Sequence, residues 1–211
     1  GKSPQNLTRL SFNHSGFSVS PDGRWFTVQY ETLAVPPSTS LNEIGGRASC
    51  VLAKGPDVTN DRSELFTFKA KDGVTDLYGI LHKPKDFDPG RKYPLIVSVY
   101  GGPDSRAVHD RFRRGSSYNE NGYLVAQIDN RGTSGRGKAF KDMVYGKLGD
   151  VDIQDQADGV RHLLRTRPFI DSRCIGIVGH SYGGKWAMFA ACLNENFAAT
   201  AWSDPGIVFD E

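Results

Sequence analysis

This sequence has few cysteines, a small net charge and no long apolar run. Its 211 residues include three cysteines, Cys50, Cys174 and Cys192, whose spacing forms neither a CxxC pair nor a Cys/His ligand set. We therefore expect no metal site, and the compartment stays open. A net charge of +2 gives no reason to expect a nucleic acid or an anionic membrane as partner. No apolar run reaches the length of a membrane span, and the first residues lack the apolar centre of a signal peptide.

The first part of the chain, residues 1–60, is predicted to be all β. Residues 17–30 contain two strand patterns joined by Pro21-Asp22-Gly23, a typical turn sequence. A single hairpin is not stable alone, so this part belongs to something larger or packs on the next part of the chain. The polar stretch 55–62 is the candidate boundary, and we expect a second domain over residues 61–211.

From residue 64 the pattern changes to strands that alternate with helices. Such alternation predicts an α/β fold with a mostly parallel sheet covered on both faces. Cys174 and Cys192 are expected in its core. The aspartates at positions 150 to 158 are interpreted as a helix start and a solvated face. The predicted strands cover residues 65–69, 76–81, 93–100, 122–129, 174–178 and a buried 197–202, and the helices cover residues 150–165 and the stretch after residue 181.

A GxSxG sequence, residues 179–183, lies between a predicted strand and a predicted helix. Strand, tight turn and helix around GxSxG form the context of a nucleophile elbow. Glycines two residues either side of the serine let the strand and the helix approach closely. We predict that Ser181 is a catalytic nucleophile; the alternative is a turn whose serine only caps the helix. The apolar stripe predicted for this helix contains Trp186, Ala187, Phe189, Ala190 and Leu193.

A nucleophilic serine needs hydrogen-bond donors for the oxyanion that develops on its substrate. One donor is the backbone N–H of Tyr182, the residue after the nucleophile. The hydroxyl of Tyr100 is a candidate for the second, because ligands of open α/β sheets bind at the carboxyl ends of strands. The alternative is that Tyr100 only ends a core strand. The glycine-rich residues 132–137 match neither GxGxxG nor a Walker loop, so no phosphate-containing cofactor is predicted.

The acid and base of a catalytic triad are missing from the expected place, which is after the serine in the chain. All of the histidines precede Ser181: His14, His82, His109, His162 and His180. His180 adjoins the serine, so its ring is expected to point away from the hydroxyl, and His162 is expected at a helix surface. The favoured interpretation is that the protein continues past Glu211 and that acid and base lie there. Residues 1–211 alone are then expected to be inactive.

Five ordered stretches resemble the prolyl oligopeptidase family of serine peptidases, most closely its dipeptidyl peptidase IV-like branch. Residues 18–41 (SVSPDGRWFTVQYETLAVPPSTSL) resemble the last blade of that family's β-propeller, and residues 92–103 (KYPLIVSVYGGP) resemble its oxyanion-tyrosine strand. The other stretches are residues 129–137 (DNRGTSGRG), 149–163 (GDVDIQDQADGVRHL) and 175–184 (IGIVGHSYGG). The resemblance covers nearly the whole chain. It implies the N-terminal portion of an α/β-hydrolase domain over residues 61–211, preceded by the C-terminal part of a β-propeller over residues 1–60.

The resemblance also implies roles for individual residues. Ser181 would be the nucleophile, Tyr100 would donate its hydroxyl to the oxyanion, and Tyr182 would contribute its N–H and line the S1 side, so both tyrosines would contact the substrate. The sequence departs from this branch in two places. The branch often has Trp or another large residue before the serine, but this chain has His180 there. The branch also tends to have aromatic S1 residues after the last strand, but residues 204–209 do not match them. A periplasmic or secreted location is compatible with the resemblance.

The function predicted from these features is hydrolysis of short peptides through an acyl-enzyme on Ser181. A carboxylic- or carbohydrate-ester hydrolase stays open, since the same fold serves both. A non-catalytic interaction module is the alternative from another class. No cofactor is implied. A sheet that lacks its later strands would leave an open edge, which favours pairing with a second copy of the chain.

Overall fold

The computed structural model describes residues 3–8, 11–58, 62–102, 104–113 and 115–204. The chain divides into two compact units. The first consists of Gly1–Asp61 and His109–Arg114, and the second consists of Arg62–Val108 and Gly115–Glu211. Each unit has its own sheet.

The first unit contains a four-stranded antiparallel sheet with strand order β1-β2-β3-β4. Its strands are β1 (Asn13–Val19), β2 (Trp25–Glu31), β3 (Ser38–Glu43) and β4 (Ser49–Ala53). The predicted turn joins β1 to β2, where the Gly23 N–H donates to the Ser20 carbonyl at 2.9 Å. Gly23 has a φ of 66°, which glycine adopts without steric cost. Phe26 and Val28 of β2 are buried on one face of this sheet.

A short segment, His109–Arg114, is part of the first unit although it follows Val108 of the second unit in sequence. The Asp110 carboxylate accepts the Leu33 N–H at 2.7 Å, and the Glu31 carboxylate accepts the Phe112 N–H at 3.1 Å. These bonds fix the segment, because each gives a partner to a backbone N–H outside the sheet.

The second unit contains a six-stranded mixed sheet with strand order β10-β9-β7-β8-β6-β5. The strands are β5 (Ser63–Lys69), β6 (Asp76–His82), β7 (Tyr93–Val99), β8 (Leu124–Asp129), β9 (Ile170–His180) and β10 (Ala199–Ser203). The pairings from β10 through β9 and β7 to β8 are parallel, whereas β8 with β6 and β6 with β5 are antiparallel. The carboxyl ends of the four parallel strands therefore meet at one edge of the sheet.

The helices of the second unit follow the predicted order. They are α1 (Ser117–Glu120), α2 (Lys138–Lys141), a 3-10 helix (Asp142–Val144), α3 (Val151–Thr166) and α4 (Tyr182–Leu193). The long helices α3 and α4 follow β8 and β9, as the strand–helix alternation predicted. Leu77, Leu95, Leu124, Val160 and Leu163 have no exposed surface, so the core joins central strands to α3.

The predictions of a buried final strand and of a core position for Cys174 are wrong. β10 is exposed along most of its length, because it pairs only with β9 among the described strands. Cys174 is exposed because β9 bulges there. Residues 171–174 of β9 stand opposite Pro94 alone, between the paired residues Tyr93 and Leu95 of β7.

The apolar stripe predicted for α4 is only partly buried. Trp186, Ala187 and Ala190 are buried, whereas Phe189 and Leu193 are exposed. Cys192 is exposed as well, which corrects its predicted core position. Periodicity indicates which side chains share a face of a helix, but here the neighbouring strands cover only part of that face.

The prediction of a solvated acidic face on α3 is wrong for Asp152 and Asp155, which are almost completely buried. The Asp155 carboxylate accepts hydrogen bonds from the Arg131 guanidinium at 2.7 and 2.9 Å and from the Arg131 backbone N–H at 2.8 Å. Burial raises the pKa of both carboxyls, and at Asp155 the charge and hydrogen bonds of Arg131 oppose this effect. The hydrogen bonds that Arg131 donates to Asp155 in turn raise the pKa of Arg131.

A half-buried ion cluster around Glu64 makes the stability of the second unit depend on pH. The Glu64 carboxylate accepts hydrogen bonds from Lys83 Nζ at 2.7 Å and from Arg167 Nε at 2.6 Å. Burial raises the pKa of Glu64, but the hydrogen bonds and charges of Lys83 and Arg167 outweigh it and leave the pKa below its ordinary value. A depressed carboxyl pKa contributes stability above the unfolded-state pKa of about 4.3, which is lost as the pH falls through the folded-state pKa.

We therefore predict that Glu64→Gln lowers the stability by on the order of 1 kcal/mol at pH 7, with the loss shrinking as the pH falls from about 5 to 3. Thermal unfolding of both proteins across this pH range measures it. Glu120→Gln is the control, since Glu120 lies 3.9 Å from Arg62 and is more exposed. A loss for Glu64→Gln that stays constant with pH would contradict the assignment.

Candidate active site

Ser181 is the single residue between the end of β9 at His180 and the start of α4 at Tyr182. Its backbone has φ 54° and ψ −121°, in a region that non-glycine residues rarely adopt. Such a conformation costs about 1–3 kcal/mol and persists only where the surrounding structure enforces it. The predicted strand–turn–helix context is confirmed. Ser181 lies at the sheet edge where the carboxyl ends of the parallel strands meet.

The glycines of the GxSxG sequence lie where backbone segments touch. A Cβ on Gly183 would stand 2.0 Å from the carbonyl oxygen of Val99, at the end of β7. A Cβ on Gly179 would stand 2.1 Å from the carbonyl oxygen of Gly183 and 2.8 Å from that of Val99. Real Cβ contacts are never this short, so any side chain at either position would force α4 away from the strands.

Tyr100 and Tyr182 lie side by side at this edge. Tyr100 follows directly on β7, and its ring meets that of Tyr182 edge-on, with centroids 6.4 Å apart and planes at 69°. Tyr100 is 45% exposed and Tyr182 is 39% exposed, so neither is a core residue. A Cβ on Gly102 would stand 3.0 Å from the Tyr100 ring and 3.2 Å from the Tyr182 Cβ, so the loop after β7 closes over both.

The loop after β7 is held from beneath by buried side chains. Gly101 has a φ of 63°, and a Cβ there would meet the Trp186 ring at 2.7 Å and Asn130 Oδ1 at 2.9 Å. Asn130, which is fully buried, donates to the Gly101 carbonyl at 3.4 Å and accepts from Gln156 at 3.0 Å. Ser105 donates from its hydroxyl to the Gly102 carbonyl.

Sequence reasoning missed these supporting residues. The Asp129 carboxylate, at the end of β8, accepts the N–H groups of Ala107 at 2.7 Å and Val108 at 3.2 Å. Arg131, two residues later, forms the buried pair with Asp155. One signal was available, because Asp155 lies four residues after Val151 and four before Gly159 on α3, so it shares a helix face with these apolar positions.

The described histidines of the second unit lie in three separate environments. His180 Nδ1 is 2.8 Å from the Ser203 hydroxyl. His162 lies near the end of α3 with intermediate exposure, it stacks on Phe66 with ring centroids 5.9 Å apart, and burial lowers its pKa. His82 Nδ1 is 2.7 Å from the Ser63 hydroxyl.

Three other expectations from the sequence concern the remaining histidines, a metal site and the segment after Ser203. His14 and His109 belong to the first unit. In the part of the chain that the structure describes, no group of three or more His, Cys, Asp and Glu side chains is arranged to hold a metal ion. The segment that departs from the family pattern after Ser203 lies, beyond Asp204, outside the described residues.

Known proteins resemble this chain in sequence and in structure. Residues 110–208 match the model of the Prolyl oligopeptidase family. Human dipeptidyl peptidase 8 is 33% identical over 207 residues, which cover 89% of this chain and 23% of the relative. Mouse dipeptidyl peptidase 8 is 41% identical over 201 residues, which cover 87% of this chain and 22% of the relative. A solved structure of a Bacteroides ovatus protein assigned as a dipeptidyl aminopeptidase IV is 33% identical, with a TM-score of 0.79 over 90% of this chain and 28% of that chain.

These similarities confirm the predicted fold class, an α/β-hydrolase sheet preceded by a β-rich segment like a propeller blade. The chain spans about a quarter of the length of the curated relatives it matches. Among the described helices, none is long and apolar enough to cross a bilayer.

We predict that Gly179→Ala disrupts the turn whereas Gly176→Ala on the same strand is tolerated. The new methyl at position 179 would press on two backbone carbonyls and cost at least about 2 kcal/mol. At position 176 the nearest atom is the Ala199 carbonyl oxygen at 3.6 Å, an ordinary contact. Thermal unfolding of both variants measures the difference. Equal losses for the two substitutions would contradict the role of close backbone approach.

Proposed function

Since the chain belongs to the prolyl oligopeptidase family, we propose that the whole protein is a serine peptidase that cleaves short peptides through an acyl-enzyme on Ser181. The observation that carries the proposal is the strained conformation of Ser181, with φ 54° at the start of α4. A serine in ordinary backbone geometry could cap a helix as well, so strain at this position favours a catalytic role over a structural one.

The donors for an oxyanion are available on both sides of Ser181. The N–H of Tyr182 belongs to the first turn of α4, where backbone N–H groups are unpaired and the helix dipole favours negative charge. The Tyr100 hydroxyl is the proposed second donor, because its ring contacts that of Tyr182. Together they would stabilise the tetrahedral intermediate after the Ser181 oxygen attacks the substrate carbonyl.

A histidine base must take the proton of Ser181, and we propose that it lies outside residues 1–211. His82 ends β6 and pairs with Val125 near the start of β8, at the sheet edge opposite the turn. His162 lies near the end of α3 and stacks on Phe66. The His180 ring is engaged by Ser203. The same histidine would then give this proton to the leaving amine, and as a base again it would activate the water that releases the acyl group from Ser181.

The names of the relatives suggest release of dipeptides as the first activity to test. The human and mouse relatives are dipeptidyl peptidases. Turnover of dipeptidyl anilides separates a peptidase from an ester hydrolase, since an anilide leaving group needs protonation that an activated ester does not. Turnover of esters alone would favour the hydrolase of carboxylic or carbohydrate esters.

We predict that a fluorophosphonate labels Ser181 in the whole protein and that Ser181→Ala abolishes both labelling and peptide turnover. Peptide mapping of the labelled protein identifies the serine, and equal thermal midpoints show that the variant is folded. Ser134→Ala is the control and should label like the wild type. A folded whole protein that takes no label would remove the catalytic claim and leave an interaction module.

Peptide turnover also tests whether the histidine base lies outside residues 1–211. Residues 1–211 expressed alone should show no peptide turnover, because the proposed histidine is absent from them. Turnover by this piece would place the base among its own residues.

We predict that Tyr100→Phe lowers kcat roughly 100-fold with little change in KM, because the lost hydroxyl would act only on the oxyanion. Steady-state kinetics of the whole protein provide the measurement. Tyr123→Phe serves as the matched control, since Tyr123 is 37% exposed and lies just before β8, at its amino-terminal end. Unchanged kcat in Tyr100→Phe would leave Tyr100 as the end of a strand.

A further inference from the structure

Ser203, the last residue of β10, makes two contacts with the turn that contains Ser181. Its carbonyl oxygen accepts the Ser181 N–H at 3.0 Å. Its hydroxyl lies 2.8 Å from Nδ1 of His180, the residue before Ser181 and the register partner of Ser203 in the β9–β10 ladder. One residue thus contacts both the backbone of Ser181 and the side chain beside it.

The turn needs support from two directions because its conformation is strained. From β7, the Val99 carbonyl packs against Gly183 in the first turn of α4, which fixes the helix side of the turn. On the side of β10, the Ser181 N–H donates a hydrogen bond to the Ser203 carbonyl. If this acceptor shifts, the Ser181 N–H loses its partner, and the backbone is free to relax toward an ordinary conformation.

The backbone hydrogen bonds between β9 and β10 hold Ser203 only weakly by themselves. Among the strands that the structure describes, β10 pairs with β9 alone. Ser203 is its last residue, and Asp204 follows with a φ of 45°, so the chain leaves the extended conformation at once. Both His180 and Ser203 are exposed, and the bond between their side chains ties the end of β10 back to the end of β9.

We propose that the hydrogen bond between His180 and Ser203 holds the turn in the conformation that presents the Ser181 hydroxyl. His180 and Ser203 are positioning residues in this proposal, which rests on the proposed role of Ser181 as nucleophile. The histidine therefore serves the turn without taking the serine's proton. Either neutral tautomer of the imidazole keeps the bond, since Nδ1 can accept from the hydroxyl or donate to it.

The first test is the rate at which a fluorophosphonate labels Ser181 in the whole protein. We expect His180→Ala and Ser203→Ala each to lower the labelling rate and kcat about 10-fold, with KM within about twofold, because a displaced nucleophile slows the chemical step. The double variant should lose no more than the slower single variant, since both remove the same bond. Independent, multiplying losses would overturn the proposal.

Conservative variants separate positioning from a general loss of structure. Ser203→Thr keeps the hydroxyl, and His180→Asn keeps a hydrogen-bonding atom near the position of Nδ1, so both should restore most of the rate. Thr200→Val is the matched control on β10, where the Thr200 hydroxyl donates to the Ala187 carbonyl at 3.1 Å. This control should lower the thermal midpoint and leave the labelling rate unchanged. Failure of both conservative variants to restore the rate, or an equal slowing in Thr200→Val, would refute the positioning role.

Hydrogen exchange tests the proposal without any activity. The Ser181 amide should exchange about tenfold faster in His180→Ala and Ser203→Ala than in the wild type, and at the wild-type rate in Ser203→Thr. Unchanged exchange in both alanine variants would overturn the proposal. Failure of the proposed function looks different, because the wild-type protein itself would then take no label at Ser181 while the exchange result still stands.

Discussion

The contact between the first turn of α4 and the end of β7 is the constraint on which the rest of the candidate site depends. The backbone of Gly183 lies so close to the Val99 carbonyl that no side chain fits between them. This contact sets the depth at which the helix meets the sheet. It therefore also sets where Ser181 stands relative to Tyr100, although the two residues come from distant parts of the chain.

Polar burial near the site follows from the same geometry. A loop that closes over a strand end must satisfy its backbone groups, and here Asp129 and Asn130 at the end of β8 accept from or donate to that loop. The next residue, Arg131, is paired with Asp155 of α3. The charged pair is thus part of the scaffold, and replacing one partner would leave the other charge buried and uncompensated.

The order of strands and helices in the second unit could be predicted from the sequence because each element carries its own local pattern. The turn at Ser181 could also be predicted from the sequence, since GxSxG between an apolar run and a helical stripe is a local signal. Exposure was harder to predict. Cys174 lies in a bulge that the register of β7 against β9 creates. The burial of Asp155 depends on its pairing with Arg131, which lies 24 residues earlier in the sequence. The bond between His180 and Ser203 depends on the pairing of β9 with β10, which sequence alone does not reveal.

The segment His109–Arg114 makes the first unit discontinuous in sequence, because the chain leaves that unit after residue 61 and returns to it before finally continuing in the second. The two units are therefore joined by three covalent crossings. A protease that cuts once at the polar stretch near residue 60 would break the chain between the larger part of the first unit and the rest, but it would leave His109–Arg114 covalently attached to the second unit. A recombinant second unit that starts at Arg62 would carry the Asp110 carboxylate and the Phe112 amide without the partners that satisfy them in the intact chain.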